Sequence, residues 1–320
     1  MKLFTGVFFS FLMSCSCLFA QNEGNIFFVR PDGPGDGTSW EEAASDLAAV
    51  LRQAEAGDQV WVATGTYKPT ADSEREASFE LNDGVRVFGG FRGSESTAEQ
   101  RDWLNYPTVL SGEIGDTGYQ DNSFSVIYTE NVSDQTLLDG FIVTGGNANG
   151  QSDKGGRIRC GGGWFNNGSK GKVSHPVIRN CTFTNNHGFD GAAFYNYGES
   201  GSCAPRFVNC TFSQNQAELD GGAIFNDGRR GGDCRPVFKN CNFVENMASY
   251  GAAIFAENEN GQVELNFQNC LFKENMAYLW GGGIFTKKGE GELEMNIGKD
   301  CKFHDNYPTD INKSYNLSRD

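Results

Sequence analysis

The chain has 320 residues, of which 42 are glycine and 21% are charged, and its formal net charge at pH 7 is −15. A surface this acidic repels phosphate groups, which argues against nucleic acids and anionic membranes as partners. It also argues against unaided binding of acidic polysaccharides, which would need bound cations such as calcium.

The first twenty residues, MKLFTGVFFSFLMSCSCLFA, resemble an export signal in composition. One lysine precedes an apolar run that ends in a small residue, and the run is too short for a finished membrane anchor. Two processing routes stay open: cleavage after Ala20, or lipid attachment at Cys15. No later segment is apolar enough to cross a bilayer, so we expect a secreted or cell-surface protein that is not membrane-integral, with or without a lipid anchor.

Residues 21–58 are predicted to form an N-terminal strand and a capping helix. In SWEEAASDLAAVLRQAEAGD, Ser39 and Glu42 match a capping box, an apolar stripe includes Trp40 and Leu51, and Gly57 is a stop signal. A helix laid across the first coil of a β-structure would cover its open apolar end. The alternative is an ordinary surface helix.

The next segment, residues 59–160, contains several β-branched or aromatic runs that end in glycine or asparagine. Examples are QVWVATGTY, GVRVFGGF and LLDGFIVTGGN. Such runs are typical of short strands separated by turns, and we interpret the segment as irregular β-coils.

Residues 161–307 contain regular repeats of about thirty residues. A glycine recurs every 30 residues, at Gly161, Gly191, Gly221, Gly251 and Gly281. A second element, Asn-Cys-x-Phe-x-x-Asn, follows each of these glycines, with Asp300 replacing the first asparagine in the last copy. A fixed period of this size indicates a repeat architecture in which each unit packs on its neighbours.

Within one repeat, the alternation of side chains predicts strands joined by bends. Cys210 and Phe212 share one face, whereas Phe207 has the opposite parity, so the inward face changes at Asn209. Asparagine tolerates the left-handed backbone that a bend requires. The sequence therefore predicts an all-β fold, a single-stranded right-handed parallel β-helix with an N-terminal capping α-helix, in which identical residues stack about 4.8 Å apart.

The paired motifs, Phe-x-x-Asn and Gly-Gly-Ala-Ile, resemble the repeat of the chlamydial polymorphic outer membrane proteins. The whole pattern resembles the secreted right-handed β-helix proteins of the pectin-lyase-like class. The first resemblance implies display at the cell surface. The second implies a fold shared by adhesins, structural proteins, lyases and hydrolases, so it does not select a function.

Five cysteines form one predicted column, which we interpret as small inward-facing apolar side chains: Cys181, Cys210, Cys241, Cys270 and Cys301. Cys203 and Cys234 lie in polar loops of consecutive coils, each seven residues before a column cysteine. Because the spacing of two coils suits a disulfide and the expected location is oxidising, we predict a Cys203–Cys234 bridge, with two free thiols as the alternative.

The position before each repeat glycine gives the best candidate site on the flank of the solenoid. Stacking would align Asp190, Asp220, Tyr250 and Trp280, with the two carboxylates one coil apart. The carboxylates would share a calcium ion, and the two aromatic rings would offer platforms for sugar rings. The alternative is that these are solvent-exposed turn positions without a ligand.

These observations favour a non-catalytic β-helix scaffold, secreted or at the cell surface, for adhesion or contact with a polysaccharide or a cell-surface glycan. No catalytic residues are assigned and no cofactor is required, with calcium as an optional ligand. The alternative is a secreted, calcium-dependent polysaccharide lyase of the pectate type, in which Arg229 or Arg230 would be the candidate base. Residues 308–320 are a polar tail, and we expect that the last coil is covered by this tail or by end-to-end self-association.

Overall fold

The computed structural model describes residues 24–115 and 118–315. Within these residues the chain forms a parallel β-solenoid of about 10 turns, as the repeats predict. The predicted export signal and the last five residues of the predicted tail lie outside the described residues.

The strands form four parallel sheets, which we number in the order in which a regular coil visits them, and the early coils contribute no strand to sheet 3. Sheet 1 consists of Ile26–Val29, Gln59–Ala63, Arg86–Phe91, Leu137–Asp139, Val177–Arg179, Arg206–Val208, Val237–Lys239, Gln262–Gln268 and Glu292–Ile297, together with the two-residue strands Val173–Ser174, Ser202–Cys203 and Asp233–Cys234. Sheet 2 consists of Gly65–Tyr67, Thr108–Ser111, Phe141–Thr144, Thr182–Thr184, Thr211–Ser213, Asn242–Val244, Leu271–Lys273 and Lys302–His304.

The other two sheets complete the coil. Sheet 3 consists of Asn147–Ala148, His187–Asp190, Gln216–Asp220, Met247–Tyr250 and Met276–Trp280. Sheet 4 consists of Phe79–Glu80, Ile127–Glu130, Trp164–Asn167, Phe194–Tyr197, Ile224–Asp227, Ile254–Glu257, Ile284–Lys288 and Ile311–Tyr315. Among the described residues, the helical segments are Leu47–Gln53 and the 3-10 turns Ala98–Gln100 and Tyr119–Asp121.

The phenylalanines of the repeated motif form one buried column in sheet 2. Phe212 pairs with Phe243 in register, and their ring centroids lie 5.0 Å apart with planes 6° from parallel. The neighbouring steps, to Phe183 on one side and Phe272 on the other, measure 5.1 and 4.8 Å. The predicted stacking is therefore confirmed, and each coil buries its apolar face only against its neighbours.

A second buried column consists of asparagine side chains. The amide of Asn215 donates to Oδ1 of Asn246 at 3.0 Å, and the amide of Asn246 donates to Oδ1 of Asn275 at 2.9 Å. Each of these amides also donates to a backbone carbonyl, for example from Asn246 to Phe212 at 2.9 Å. Because a buried amide is costly when unpaired, this ladder specifies the register of the coils as well as stabilising them.

The predicted bends are present. The first asparagine of the motif has a positive φ in four coils, for example 56° at Asn209 and 55° at Asn240. Gly221 has a φ of 68°, and a Cβ atom there would lie 2.5 Å from the carbonyl oxygen of Ile224. Glycine is therefore required at this corner by both backbone conformation and space.

The predicted helix over residues 39–57 is wrong in its extent. The α-helix runs only from Leu47 to Gln53, and its N-cap is Asp46, whose side chain accepts a bond from the amide of Ala49. The preceding segment is not helical because it pairs with the first strand: the amide of Ala44 donates to Phe28 and the amide of Arg30 donates to Ala44. Residues 42–44 thus use their backbone groups in a strand-like pairing that competes with helix formation.

The apolar residues of this short helix join the main core beside the first coils. Its role as a cap of the solenoid stays a prediction. At the other end, the inward side chains of the last coil are only partly buried: Leu293, Met295, Ile297, Phe303 and Ile311.

Candidate functional site

The two faces of sheet 3 differ sharply in side-chain size and polarity. Its inward positions are small and buried, such as Ala217, Ala248 and Ala277. Its outward positions carry larger polar, sulfur-containing or aromatic side chains, including Gln216, Met247 and Tyr278. The small inward residues allow the strands and the turn glycines to pack closely. The side chains that could contact a ligand therefore lie on the outer face of this sheet and along its edge.

The predicted row runs along the edge of sheet 3. Asp190 pairs with Asp220, Asp220 with Tyr250, and Tyr250 with Trp280. A backbone bridge continues the row from Asp190 to Cys160. The structure thus brings these residues together in register, whereas their role in ligand binding stays a prediction.

Burial divides this row into two halves. Asp190 and Asp220 are fully buried, Tyr250 is partly buried against the ring of Phe285 at 5.1 Å, and 49% of Trp280 is exposed. The alternative, that all four are solvent-exposed turn positions, does not hold for the two aspartates, which are buried. Their cover is the loop formed by residues 149–160, which lies outside the repeat pattern.

Lys154 anchors this covering loop to two consecutive coils, that of Asp220 and that of Glu257. Its Nζ lies 2.7 Å from Oε2 of Glu257 and 3.5 Å from Oδ2 of Asp220, and it sits 4.5 Å from the ring centroid of Phe225. Burial lowers the pKa of Lys154, but Glu257 and Asp220 outweigh burial and raise it. The ammonium group therefore stays charged and neutralises carboxylates that would otherwise be buried without a counter-ion.

Glu257 receives a second cation from the last regular coil. Nζ of Lys287 lies 2.6 Å from Oε1 of Glu257, so each carboxylate oxygen has its own ammonium partner. Burial raises the pKa of Glu257, but Lys154 and Lys287 more than offset this and lower it to about 2. Glu257 is therefore ionised at neutral pH.

Asp190 is less completely paired. Its Oδ2 lies 3.3 Å from Nε of Arg159, whereas its buried Oδ1 has no hydrogen-bond partner among the described residues. Burial raises the pKa of Asp190 to about 6, with Asp220 adding to the effect and Lys154 and Arg159 opposing it. A carboxyl group in this state is partly protonated close to neutral pH.

The same geometry constrains the calcium hypothesis. The cation beside Asp220 in the structure is an ammonium group, and Asp190 faces a guanidinium group. A calcium ion shared by both aspartates would require Lys154 and Arg159 to move away. Within residues 24–115 and 118–315, no group of three or more His, Cys, Asp and Glu side chains is placed to hold a metal ion.

Arg229 and Arg230, the candidate bases of a lyase, are held in ion pairs. Arg229 contacts both carboxylate oxygens of Asp227, at 2.8 and 2.7 Å, and Arg230 lies 2.8 Å from Glu199. Burial lowers the pKa of Arg229, but Asp227 raises it well above its usual range. A guanidinium group held this way does not accept a proton from a substrate.

Two further features of the outer face were missed by the sequence reasoning. The first is a cleft of about 500 Å³ over the first coils of sheet 3. It is lined by Tyr119, Gln120, Asn147, Asn149, Gln151, His187, Gly188, Phe189, Gln216 and Glu218. The ring of Tyr119 stacks on that of His187, with centroids 5.3 Å apart.

The second feature is a group of exposed apolar side chains on the last coils, which we call the aromatic patch. It contains Tyr278, Leu279, Trp280 and Tyr307, of which Tyr278 is 60% and Tyr307 65% exposed. Trp280 was predicted on the candidate row from its position before Gly281, whereas the exposure of Tyr278, Leu279 and Tyr307 was not predicted. The strand irregularity between Ala248 and Tyr250 and the exposed edge of this coil were not visible in the repeat period.

Cys203 and Cys234 lie opposite each other in register, as predicted. In the structure both are thiols, and each donates to a carbonyl of its own coil, to Tyr197 and Asp227 respectively, at 3.2 Å. The disulfide between them stays a prediction.

Comparison with known families gives one partial match. The repeat of the Chlamydia polymorphic membrane protein family matches residues 209–227, which run from the bend at Asn209 through the glycine turn to Asp227. This match and the parallel coils both support the β-helix character of the chain, whereas the likeness to the pectin-lyase-like class stays a prediction. No curated protein and no solved structure matched the chain.

Among the described residues, no helix combines the length and apolar character that crossing a membrane requires.

Proposed function

We propose that this protein is an exported, non-catalytic β-helix scaffold that contacts glycans through the outer face of sheet 3. The observation that carries the proposal is the aromatic patch. Tyr278 and Trp280 project exposed rings from one strand, and Met276 of the same strand is bridged to Tyr307 on the next coil. Exposed aromatic rings in a row are platforms on which sugar rings stack.

The repeat match supports placement at the cell surface. The matched family is named for membrane proteins of Chlamydia, and the matched segment forms the sheet 2, sheet 3 and sheet 4 strands of one coil. The N-terminal export signal expected from the sequence agrees with this placement, either with cleavage after Ala20 or with a lipid at Cys15.

The burial and ion pairing of the candidate acids and bases support a non-catalytic role. Asp190, Asp220 and Glu257 lie under the covering loop, next to the side chains of Lys154 and Arg159. Asp227 and Arg229 form an ion pair. A carboxyl group that is buried beneath the covering loop is not accessible to a substrate.

A glycan array with the full-length exported protein tests this proposal. We expect binding without turnover, and we expect Tyr278→Ala and Trp280→Ala each to weaken it about 10-fold, since one stacked ring contributes about 1 kcal/mol or more. Leu104→Ala is the matched control, because Leu104 is 82% exposed and lies away from sheet 3.

Two outcomes would contradict the proposal. One is that no glycan binds, or that both aromatic variants bind like the wild type. The other is release of unsaturated sugars from polygalacturonate or alginate in the presence of calcium, abolished by Asp190→Ala with Asp220→Ala, which would establish the lyase instead. A parallel array with a calcium chelator tests whether the optional calcium contributes.

A further inference from the structure

We propose that the cleft beside Tyr119 is a second saccharide subsite, selective for neutral, hydroxyl-rich sugars over uronates. This inference rests on the proposed function and names the class of glycan that the outer face of sheet 3 accepts. It concerns the cleft alone, which shares no residue with the aromatic patch.

The size and shape of the cleft suit a short oligosaccharide. Its volume of about 500 Å³ falls within the usual range for small-molecule sites. The stacked rings of Tyr119 and His187 form one wall, and 53% of Tyr119 is exposed. An exposed ring that is itself supported by stacking is a rigid platform for the apolar face of a sugar.

The polar groups of the lining are mainly amides. Gln120, Gln151 and Gln216 have exposed side chains, and an amide both donates and accepts hydrogen bonds. Sugar hydroxyls also donate and accept, so amides match them without requiring a formal charge. Asn147 and Asn149 are fixed by bonds to Tyr119 and Gln120, which keeps this side of the cleft in one arrangement.

The charges around the cleft disfavour a carboxylate ligand. Glu218 is the one acidic residue of the lining, and burial lowers the pKa of His187, so the imidazole is neutral at pH 7. Arg75 reaches the lining, but its guanidinium is bonded to Asn122, Asn147 and Asn149 at 2.7, 3.0 and 2.6 Å. A uronate would therefore meet Glu218 and a net charge of −15, and no lysine or arginine is among the described residues that line the cleft.

The cleft and the aromatic patch lie on one straight face. His187 pairs in register with Gln216, Gln216 with Met247, and Met247 with Met276. Three coil spacings separate the first and last of these residues, about 14 Å at the usual strand spacing. One extended polymer lying along the solenoid axis would reach both features.

Titration calorimetry with defined oligosaccharides tests the inference. The probes are neutral gluco- and manno-oligosaccharides and, at equal length, galacturonate oligosaccharides. We expect the neutral series to bind and the uronates to bind at least about 10-fold more weakly. Gln216→Ala and Tyr119→Ala should each weaken the neutral ligands about 10-fold, since each removes roughly 1 to 1.5 kcal/mol of contact. Gln135→Ala is the control, because Gln135 is also an exposed glutamine but lies in a turn before sheet 1.

The outcomes separate this inference from the proposed function. Uronates that bind as tightly as neutral sugars would overturn the inference. So would neutral sugars whose affinity changes with Trp280→Ala but not with either cleft variant, although glycan contact itself would then stand. If none of the glycans binds, both proposals fail.

Discussion

Nζ of Lys154 lies 2.7 Å from Oε2 of Glu257, although the two residues are 103 positions apart in the sequence. This contact, with the one to Asp220, ties a loop from before the regular repeats to the flank of two later coils. The loop thereby buries two carboxyl groups of the candidate row.

Replacing Lys154 should loosen this loop. Lys154→Met removes the ammonium group beside Asp220 and Glu257, and we expect a loss of about 1 to 3 kcal/mol in stability, because 23% of the lysine side chain is exposed and solvent screens part of the pairing. Denaturant unfolding and limited proteolysis within residues 149–160 measure the effect. Lys172→Met is the control, since its pair with Glu130 is more exposed and should contribute less than about 1 kcal/mol. Equal losses in the two variants would contradict the anchoring role.

Asp190 and Glu257 should give stability opposite dependences on pH. The pKa of Asp190 is raised to about 6, so its contribution is favourable at low pH and is lost as the pH rises from about 4 through 6. The pKa of Glu257 is lowered to about 2, so its contribution is present above about 4.5 and is lost as the pH falls toward 2. Asp190→Asn should therefore be relatively more stable at pH 7 than at pH 4, and Glu257→Gln relatively less stable at pH 7 than at pH 3. Urea midpoints across this range measure both, and parallel profiles for the two variants would refute the assignment.

The asparagine ladder should be more sensitive to substitution than an exposed asparagine of the same coil. Asn246→Ala deletes bonds to Asn215, Phe212 and Asn275 inside the solenoid, and we expect a loss of about 2 to 4 kcal/mol. Asn242→Ala, on the exposed face four residues earlier, should cost less than about 0.5 kcal/mol. Similar unfolding midpoints for both variants would show that the ladder does not stabilise the coil.

The phenylalanine column should show the usual cost of a cavity. Phe243→Ala removes a fully buried ring stacked between Phe212 and Phe272, and a loss of about 3 to 5 kcal/mol follows from the missing contacts. Val173→Ala is the control, because Val173 is 45% exposed. A loss below about 1 kcal/mol for Phe243→Ala in denaturant unfolding would be inconsistent with a close-packed column.

The Cys203–Cys234 bridge can be tested directly. If it forms, alkylation of the unfolded, unreduced protein should leave these two cysteines unmodified, while the five column cysteines from Cys181 to Cys301 react. Peptide mapping by mass spectrometry identifies the modified positions. Alkylation of both Cys203 and Cys234 before reduction would disprove the bridge.

The sequence predicted the regular part of the fold because the repeated unit and the structural unit are the same. The stacking of Phe183 through Phe272 and the bend at Asn209 follow from period and parity alone. The helix extent was wrong because tertiary pairing of Ala44 with Phe28 competes with local helical preference, which a periodic pattern does not reveal.

The sequence predicted which residues of the candidate site align in register, but it did not predict which of them are buried. The row from Asp190 to Trp280 is in register, but the burial of its aspartates depends on Lys154 and Arg159, which belong to no repeat. The cleft near Tyr119 likewise combines a 3-10 turn with residues of three coils. Contacts made by segments outside the periodic pattern cannot be read from the pattern.

The in-register columns have an evolutionary consequence. Since Phe and Asn side chains meet their own kind one coil away, and the repeat glycines share one backbone conformation, a duplicated coil presents the same contacts above and below that its parent did. Gene duplication or deletion in units of one coil would therefore lengthen or shorten the rod with little repacking. We therefore expect paralogues that differ in the number of coils, and so in the length of the rod.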